Sequence, residues 1–257
     1  MQFRELQRNW DTLGSTDPLW AILTDPSKAG NRWEAGEFFS TGVAEIQEMM
    51  RWLEAIYPLP SRRRALDFGC GVGRLTQPLA GFFDEAVGVD VAPSMIRLAN
   101  KYNRYPDRCR YVLNEAEHLR CFEDATFDLI YSGLTLQHMQ PRYTRGYLAE
   151  FARILRPGGA LVFQLPSERS RKGLTVIAGR IIYYLYVNVY RRFIRRGDAL
   201  MLMFGLPREE VLRLLLGKGC EPLVVEPDAS AGPEWVGYRY FVFKPIPAAG
   251  SRPISPA

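Results

Sequence analysis

Histidine and cysteine are scarce. The chain has two histidines and four cysteines in 257 residues. Cys70, Cys109, Cys121 and Cys220 show no C-x-x-C spacing, which excludes a disulfide framework and a zinc knuckle. Read as reduced, buried thiols, they suit a cytoplasmic protein. Met1-Gln2-Phe3-Arg4-Glu5 is followed by no apolar h-region, so no signal peptide is expected. Long hydrophobic runs are also missing. Ile181 to Tyr190 is uncharged, but Arg180 and Arg191 bound it, too short a stretch to cross a bilayer. Basic charge is not spread over the surface. The net charge is +5, yet residues 168–198 set eight arginines and lysines against Glu168 and Asp198, leaving the rest at −1. This distribution argues against nucleic acid as a partner. With 47% hydrophobic and 24% charged residues, the chain is globular rather than disordered, collagen-like or coiled-coil.

Three regions follow from the pattern. Residues 1–61 are a mostly helical, aromatic extension with turns at Asp17-Pro18 and Asp25-Pro26 and a helix over Gly42–Tyr57. Residues 62–166 alternate strand-like and helix-like runs, the mark of βαβ units on a parallel sheet, within a domain expected over 62–244. Strands are expected at Arg64–Phe68, Ala86–Asp90, Arg110–Leu113, Phe127–Tyr131, Ala160–Leu165, Glu221–Glu226 and Gly237–Phe243. Helices are expected at Arg74–Phe83, Pro93–Tyr102, Tyr143–Leu155 and Pro207–Gly217. An insertion spans 167–206, and a Pro/Ala/Ser-rich tail runs over 245–257.

The most informative stretch is Ala65-Leu66-Asp67-Phe68-Gly69-Cys70-Gly71-Val72-Gly73-Arg74-Leu75-Thr76. A short apolar strand runs into alternating glycines, where backbone N–H groups can approach a ligand closely. The spacing is G-x-G-x-G, and Arg74 stands where a dinucleotide fingerprint has its last glycine. About one strand later, Asp90 falls at the carboxyl end of Val87-Gly88-Val89-Asp90, where an acid accepts hydrogen bonds from ribose hydroxyls.

These residues resemble the class I S-adenosylmethionine-dependent methyltransferases. Leu66 to Gly73 is similar to their first motif, and Val89-Asp90 to the acid that follows it. Phe127 to Ser132 is similar to their fourth strand, and Leu155-Arg156-Pro157-Gly158-Gly159-Ala160 to the turn into their fifth. The nearest group is the small-molecule methyltransferases that include quinone-biosynthesis enzymes. The resemblance implies a doubly wound, seven-stranded, mostly parallel α/β sheet with a Rossmann-like fold, an N-terminal helical extension and an inserted helical segment. It implies S-adenosylmethionine as cofactor, with Gly69, Gly71 and Gly73 at its methionine end. Asp67 positions that loop or meets the amino group, and Asp90 takes the ribose. Val91 and Met95 lie against the adenine, Glu115 or Ala116 faces its amine, and Ser132 borders the sulfonium.

Methyl transfer requires alignment, exclusion of water and, for a hydroxyl acceptor, a base. His138, just past the fourth strand, is the candidate base, with Tyr131 and Gln137 as polar contacts to the acceptor. Trp33, Phe38 and Phe39, among Gly30, Gly36 and Gly42, are read as a lid lining the acceptor pocket, while Trp10 and Trp20 anchor the extension. No Asn/Asp-Pro-Pro-Tyr/Phe sequence follows the fourth strand, no Pro-Cys pair occurs, and Ser132–Gln140 holds no carboxylate. A small molecule methylated without a metal is the expected substrate. Over 172–196, arginines gather on one helical face and Tyr, Val, Ile and Phe on the other. Such a helix lies on an anionic membrane or packs on protein as a lid or dimer helix; both readings stand, with the inner membrane surface as the site of any lipid contact. Oligomeric state stays open. The rival functions are an NAD-dependent dehydrogenase and a non-catalytic cofactor-fold protein at a membrane surface.

Overall fold

The structure, a computed structural model, describes residues 2–170, 199 and 201–247. The basic helix expected over 172–196 and the end of the tail lie outside these residues. Seven strands form one sheet: β1 Arg64–Phe68, β2 Glu85–Asp90, β3 Cys109–Leu113, β4 Phe127–Ser132, β5 Leu155–Arg169, β6 Glu221–Asp228 and β7 Trp235–Phe243. Their order is β3-β2-β1-β4-β5-β7-β6. The first five pair in parallel, and β7 inserts antiparallel between β5 and β6.

Alternation along the strands decides which side each residue serves. Leu66, Phe68, Val87, Val89, Ile130, Leu161 and Phe163 face a core completed by α6 (Pro141–Ile154) and α7 (Arg208–Leu216). Ala65, Ala86, Leu129, Tyr131, Ala160 and Val162 face the opposite core, covered by Ile46, Met49, Met50 and Leu53 of α3 (Ala35–Ile56). Burial on both faces accounts for the near-continuous apolar runs of β1 and β4. Strand order reverses between β1 and β4, which opens a crevice at their carboxyl ends.

Two helices differ from expectation. The helix foreseen over Arg74–Phe83 reduces to α4 (Thr76–Leu79). Pro78 lacks an N–H and Gly81 follows, so Ala80, Gly81 and Phe82 close tight turns onto Gln77, Pro78 and Leu79 instead. In contrast, α3 starts seven residues before Gly42, placing Gly36 and Gly42 inside a helix rather than at hinges. Gly42 is required by packing, since a Cβ there would stand 2.8 Å from Arg74 Cγ and closer still to the Arg74 carbonyl.

The extension begins with α1 (Phe3–Thr16) and α2 (Pro18–Ile22). α1 docks on α5 (Pro93–Tyr102), whose N-cap, Ala92, has no capping side chain. Asp11 of α1 supplies the cap from outside: Ser94 N–H donates to its carboxylate at 2.7 Å, and Ser94 Oγ to its carbonyl at 2.9 Å. Asp11→Ala is therefore expected to cost about 1 kcal/mol in denaturant unfolding, a typical cap loss. Among the described residues, no helix is long and apolar enough to cross a membrane.

Candidate active site

At the crevice the β1 exit folds back on β2: Gly69 and Cys70 N–H both donate to the Val89 carbonyl. Gly71 takes φ +52°, and its N–H donates to Asp90 Oδ2 at 2.9 Å. Asp90 Oδ1 accepts from Ala92 N–H at 2.9 Å. Burial raises the Asp90 pKa, and these N–H bonds oppose that rise. Each oxygen keeps a further lone pair for a ligand.

Asp90 borders a cleft whose space, its open mouth included, is about 870 Å³. The floor is Phe68, Gly69, Gly71, Val89, Val91 and Met95; Gly133, Leu134, Thr135, His138 and Met139 form the side beyond β4. α1 and α2 cover it with Leu6, Trp10, Ala21 and Ile22. Leu134 has φ +57°, a left-handed conformation costly for leucine, and it stands in the cleft wall.

His138 is fixed on both nitrogens. Nδ1 lies 2.9 Å from the Leu202 carbonyl; a carbonyl only accepts, so the proton sits on Nδ1. Nε2 then accepts from Gln137 Nε2 at 3.2 Å. Trp10 packs edge-on against the imidazole at 5.0 Å, and burial pushes the His138 pKa down to about 4.

The family model described as "Methyltransferase domain" matches residues 66–163, the span from the glycine loop to β5. Over that span the chain is similar to a methyltransferase domain. The chain is 30% identical over 156 residues to malonyl-[acyl-carrier protein] O-methyltransferase of Methylococcus capsulatus, covering 58% of this chain and 55% of that one. It is 24% identical over 155 residues to ubiquinone biosynthesis O-methyltransferase of Thiobacillus denitrificans, covering 60% and 66%. The chain spans about half the length of the first curated relatives it matches. The fold is shared with magnesium protoporphyrin IX methyltransferase of Synechocystis, solved with S-adenosylhomocysteine bound. There the TM-score is 0.61 at 15% identity, over 93% of this chain and 97% of that one.

Of the site residues expected from sequence, Gly69, Gly71, Asp90, Val91, Met95 and His138 meet around the cleft; the others stand elsewhere. Gly73 packs under Tyr111. Ser132 is fully buried and donates to the Phe68 carbonyl at 3.1 Å, leaving the wall to the three residues after it. Glu115 is exposed and accepts from Gln7 of α1. The Ala116 carbonyl accepts from Tyr147 Oη at 2.6 Å, and Asn114 lines the cleft in place of both. Tyr131 points to the α3 side, donating to Glu45 Oε1 at 2.7 Å. Gln137 sits behind His138.

Trp33, Phe38 and Phe39 pack in the core between α3 and α5, with Phe38 fully buried. The aromatic residue on the cleft is Trp10, read from sequence as an anchor. Its helix crosses above α5, a long-range docking that local spacing does not reveal. Arg74, Thr135 and Tyr147 were also missed as wall residues. Arg74 was legible only as a departure from the dinucleotide pattern.

Asp67 lies beneath the loop, 1% exposed, and accepts from Thr76 Oγ1 at 2.6 Å. Burial pushes its carboxyl up to about 7, against the pull of Thr76 and Arg74. A raised acid contributes stability below its unfolded pKa of 3.8 and loses it as pH rises through about 7. Asp67→Asn keeps an acceptor for Thr76 and cannot ionise. Its stability relative to the parent chain is expected to improve by about 2 kcal/mol between pH 5 and 8 in urea melts.

Proposed function

We propose that the cleft binds S-adenosylmethionine and that the protein transfers its methyl group to a hydroxyl, carboxyl or amine of a small, partly apolar acceptor. The observation that carries this is the Asp90 carboxylate, open to the cleft at the strand-order reversal while gripping the bare Gly71 bend. Asp90 takes the ribose hydroxyls, Gly69 and Gly71 the methionine end, and Val91, Met95 and Asn114 the adenine. Bound there, the cofactor supplies a methyl group on a sulfonium, already joined to a good leaving group. The protein's part is alignment and dryness. Leu6, Trp10, Ile22 and Met139 exclude water, and His138, held neutral with both nitrogens engaged, serves as wall rather than as base. The related proteins named as O-methyltransferases support an oxygen acceptor.

Calorimetry with S-adenosylhomocysteine tests the reading: saturable heat is expected, and none from folded protein would sink it. A cytoplasmic setting with the 172–196 segment on an anionic membrane completes the proposal. Flotation with anionic liposomes is expected to carry the protein upward, and neutral liposomes to leave it behind.

A further inference from the structure

Arg74 is 3% exposed and stands in the cleft wall. Nη1 donates to Thr41 Oγ1 at 3.2 Å and Nη2 to Glu45 Oε2 at 2.7 Å, while Nε is buried with no partner. Glu45 does not complete the fork, because its other oxygen is taken by Tyr131 Oη at 2.7 Å. Next along the wall is Gly133, whose own lack of a side chain leaves room there for the Glu45 carboxylate, 3.3 Å from where a Cβ would stand. A buried guanidinium N–H without an acceptor costs free energy that a ligand oxygen restores, most strongly when that oxygen is charged.

Among the described residues, the cleft also lacks a base suited to neutral pH. Among the described residues lining it, the other titratable side chains are Cys70, Asp90, His138 and Tyr147. Burial pushes Cys70 and Tyr147 up, away from ionisation, and Tyr147 Oη donates to a carbonyl. His138 has both nitrogens engaged. Asp90 holds the loop at the ribose end. None of these described groups is free to take a proton from a hydroxyl or ammonium acceptor.

We propose that the methyl acceptor is a carboxylate, steered at one oxygen by Arg74 Nε while the other attacks. The inference rests on the methyltransferase reading above. The attacking oxygen forms the O–CH3 bond and the S–CH3 bond breaks. Its electron pair stays on sulfur, and no proton moves. An anion and a cation become two neutral products, a change that the apolar walls favour over water.

The same N–H suits either of two carboxylates, the acceptor's or the one on the cofactor's methionine, and binding separates them. Calorimetry on the full chain uses S-adenosylhomocysteine, then 5′-methylthioadenosine, which lacks the amino-acid carboxylate. A panel of short- to medium-chain linear carboxylates and matched alcohols is then titrated into S-adenosylhomocysteine-saturated protein. Carboxylates are expected to bind better than alcohols. Arg74→Gln is expected to weaken them at least about tenfold, the loss of one charge-assisted hydrogen bond, with S-adenosylhomocysteine little changed. If Arg74→Gln weakens S-adenosylhomocysteine but not methylthioadenosine, Nε serves the cofactor and the acceptor assignment falls. It falls equally if carboxylates bind no better than alcohols.

Where Arg74→Gln does not fold, Glu45→Gln removes the competing carboxylate and is expected to tighten carboxylate binding, with unchanged or weaker binding overturning the proposal. Failure of S-adenosylhomocysteine to bind the parent protein would instead sink the underlying methyltransferase reading. In turnover with methyl-labelled cofactor, the product is expected to release labelled methanol in alkali, at a rate flat between about pH 6 and 9. Base-stable label on the alcohols or on matched amines would overturn it.

Discussion

Asp90→Ala is expected to reduce S-adenosylhomocysteine affinity by about 100-fold or more. The carboxylate has two tasks. It accepts from Gly71 and Ala92 N–H at 2.9 Å each, which sets the glycine bend, and its remaining lone pairs face the cleft, where we propose that ribose hydroxyls bind. Each charge-assisted hydrogen bond contributes about 1.5–3 kcal/mol, so losing two exceeds the roughly 2.8 kcal/mol that corresponds to 100-fold. Asp90→Asn keeps acceptor oxygen on one side only and is expected to fall between the two proteins. Calorimetry on material whose circular dichroism matches the parent decides the matter. A loss below about tenfold for Asp90→Ala would remove the ribose assignment.

The second large effect separates two glycines that look equivalent in sequence. Gly73→Ala is expected to destabilise the fold by about 3 kcal/mol, read from urea unfolding. Gly73 has φ +84°, a conformation that costs an L side chain about 1–2 kcal/mol. A Cβ there would also stand 2.8 Å from Tyr111 Cζ and closer still to its hydroxyl oxygen, an overpacking worth about 1–3 kcal/mol more. Gly71→Ala differs. Its φ of +52° is better tolerated, and the atom in the way, Ile22 Cδ1 at 2.5 Å, is the movable end of a side chain. Gly71→Ala is expected to cost less stability and to weaken S-adenosylhomocysteine, because the methyl group projects where the ligand must approach. If Gly73→Ala proved as stable as the parent, the packing role assigned to Gly73 would be wrong.

The contrast between these glycines shows how far sequence carries. The loop, the acid and the strands around them were legible because each is written locally. Apolar strands, alternating glycines and an acid at a strand end need only neighbours in the chain. β1 and α5 appear with the bounds foreseen, Arg64–Phe68 and Pro93–Tyr102. The helix after the loop was overextended because apolar spacing outweighed Pro78 and Gly81. Ser132 was misplaced by one step: β4 runs one residue further than foreseen, turning Ser132 into the sheet and giving the wall to Gly133, Leu134 and Thr135. Trp33, Phe38 and Phe39 were misassigned because an aromatic residue beside glycines reads alike whether it covers a cleft or fills a core.

By itself, then, the amino-acid order placed the strands and the glycine bend beside the acid, through periodicity and through backbone positions that favour glycine, while the doubly wound frame followed from the family resemblance. Tertiary structure alone decided who walls the acceptor side. Trp10 reaches the cleft because Asp11 caps a helix 83 residues away, and Arg74 keeps an unpartnered Nε while Glu45, 29 residues before it, is shared between its Nη2 and Tyr131. Both outcomes depend on surfaces that meet only when the sheet is assembled. Hydrogen-bond satisfaction is settled by every group that packs against a site, and local spacing does not encode it.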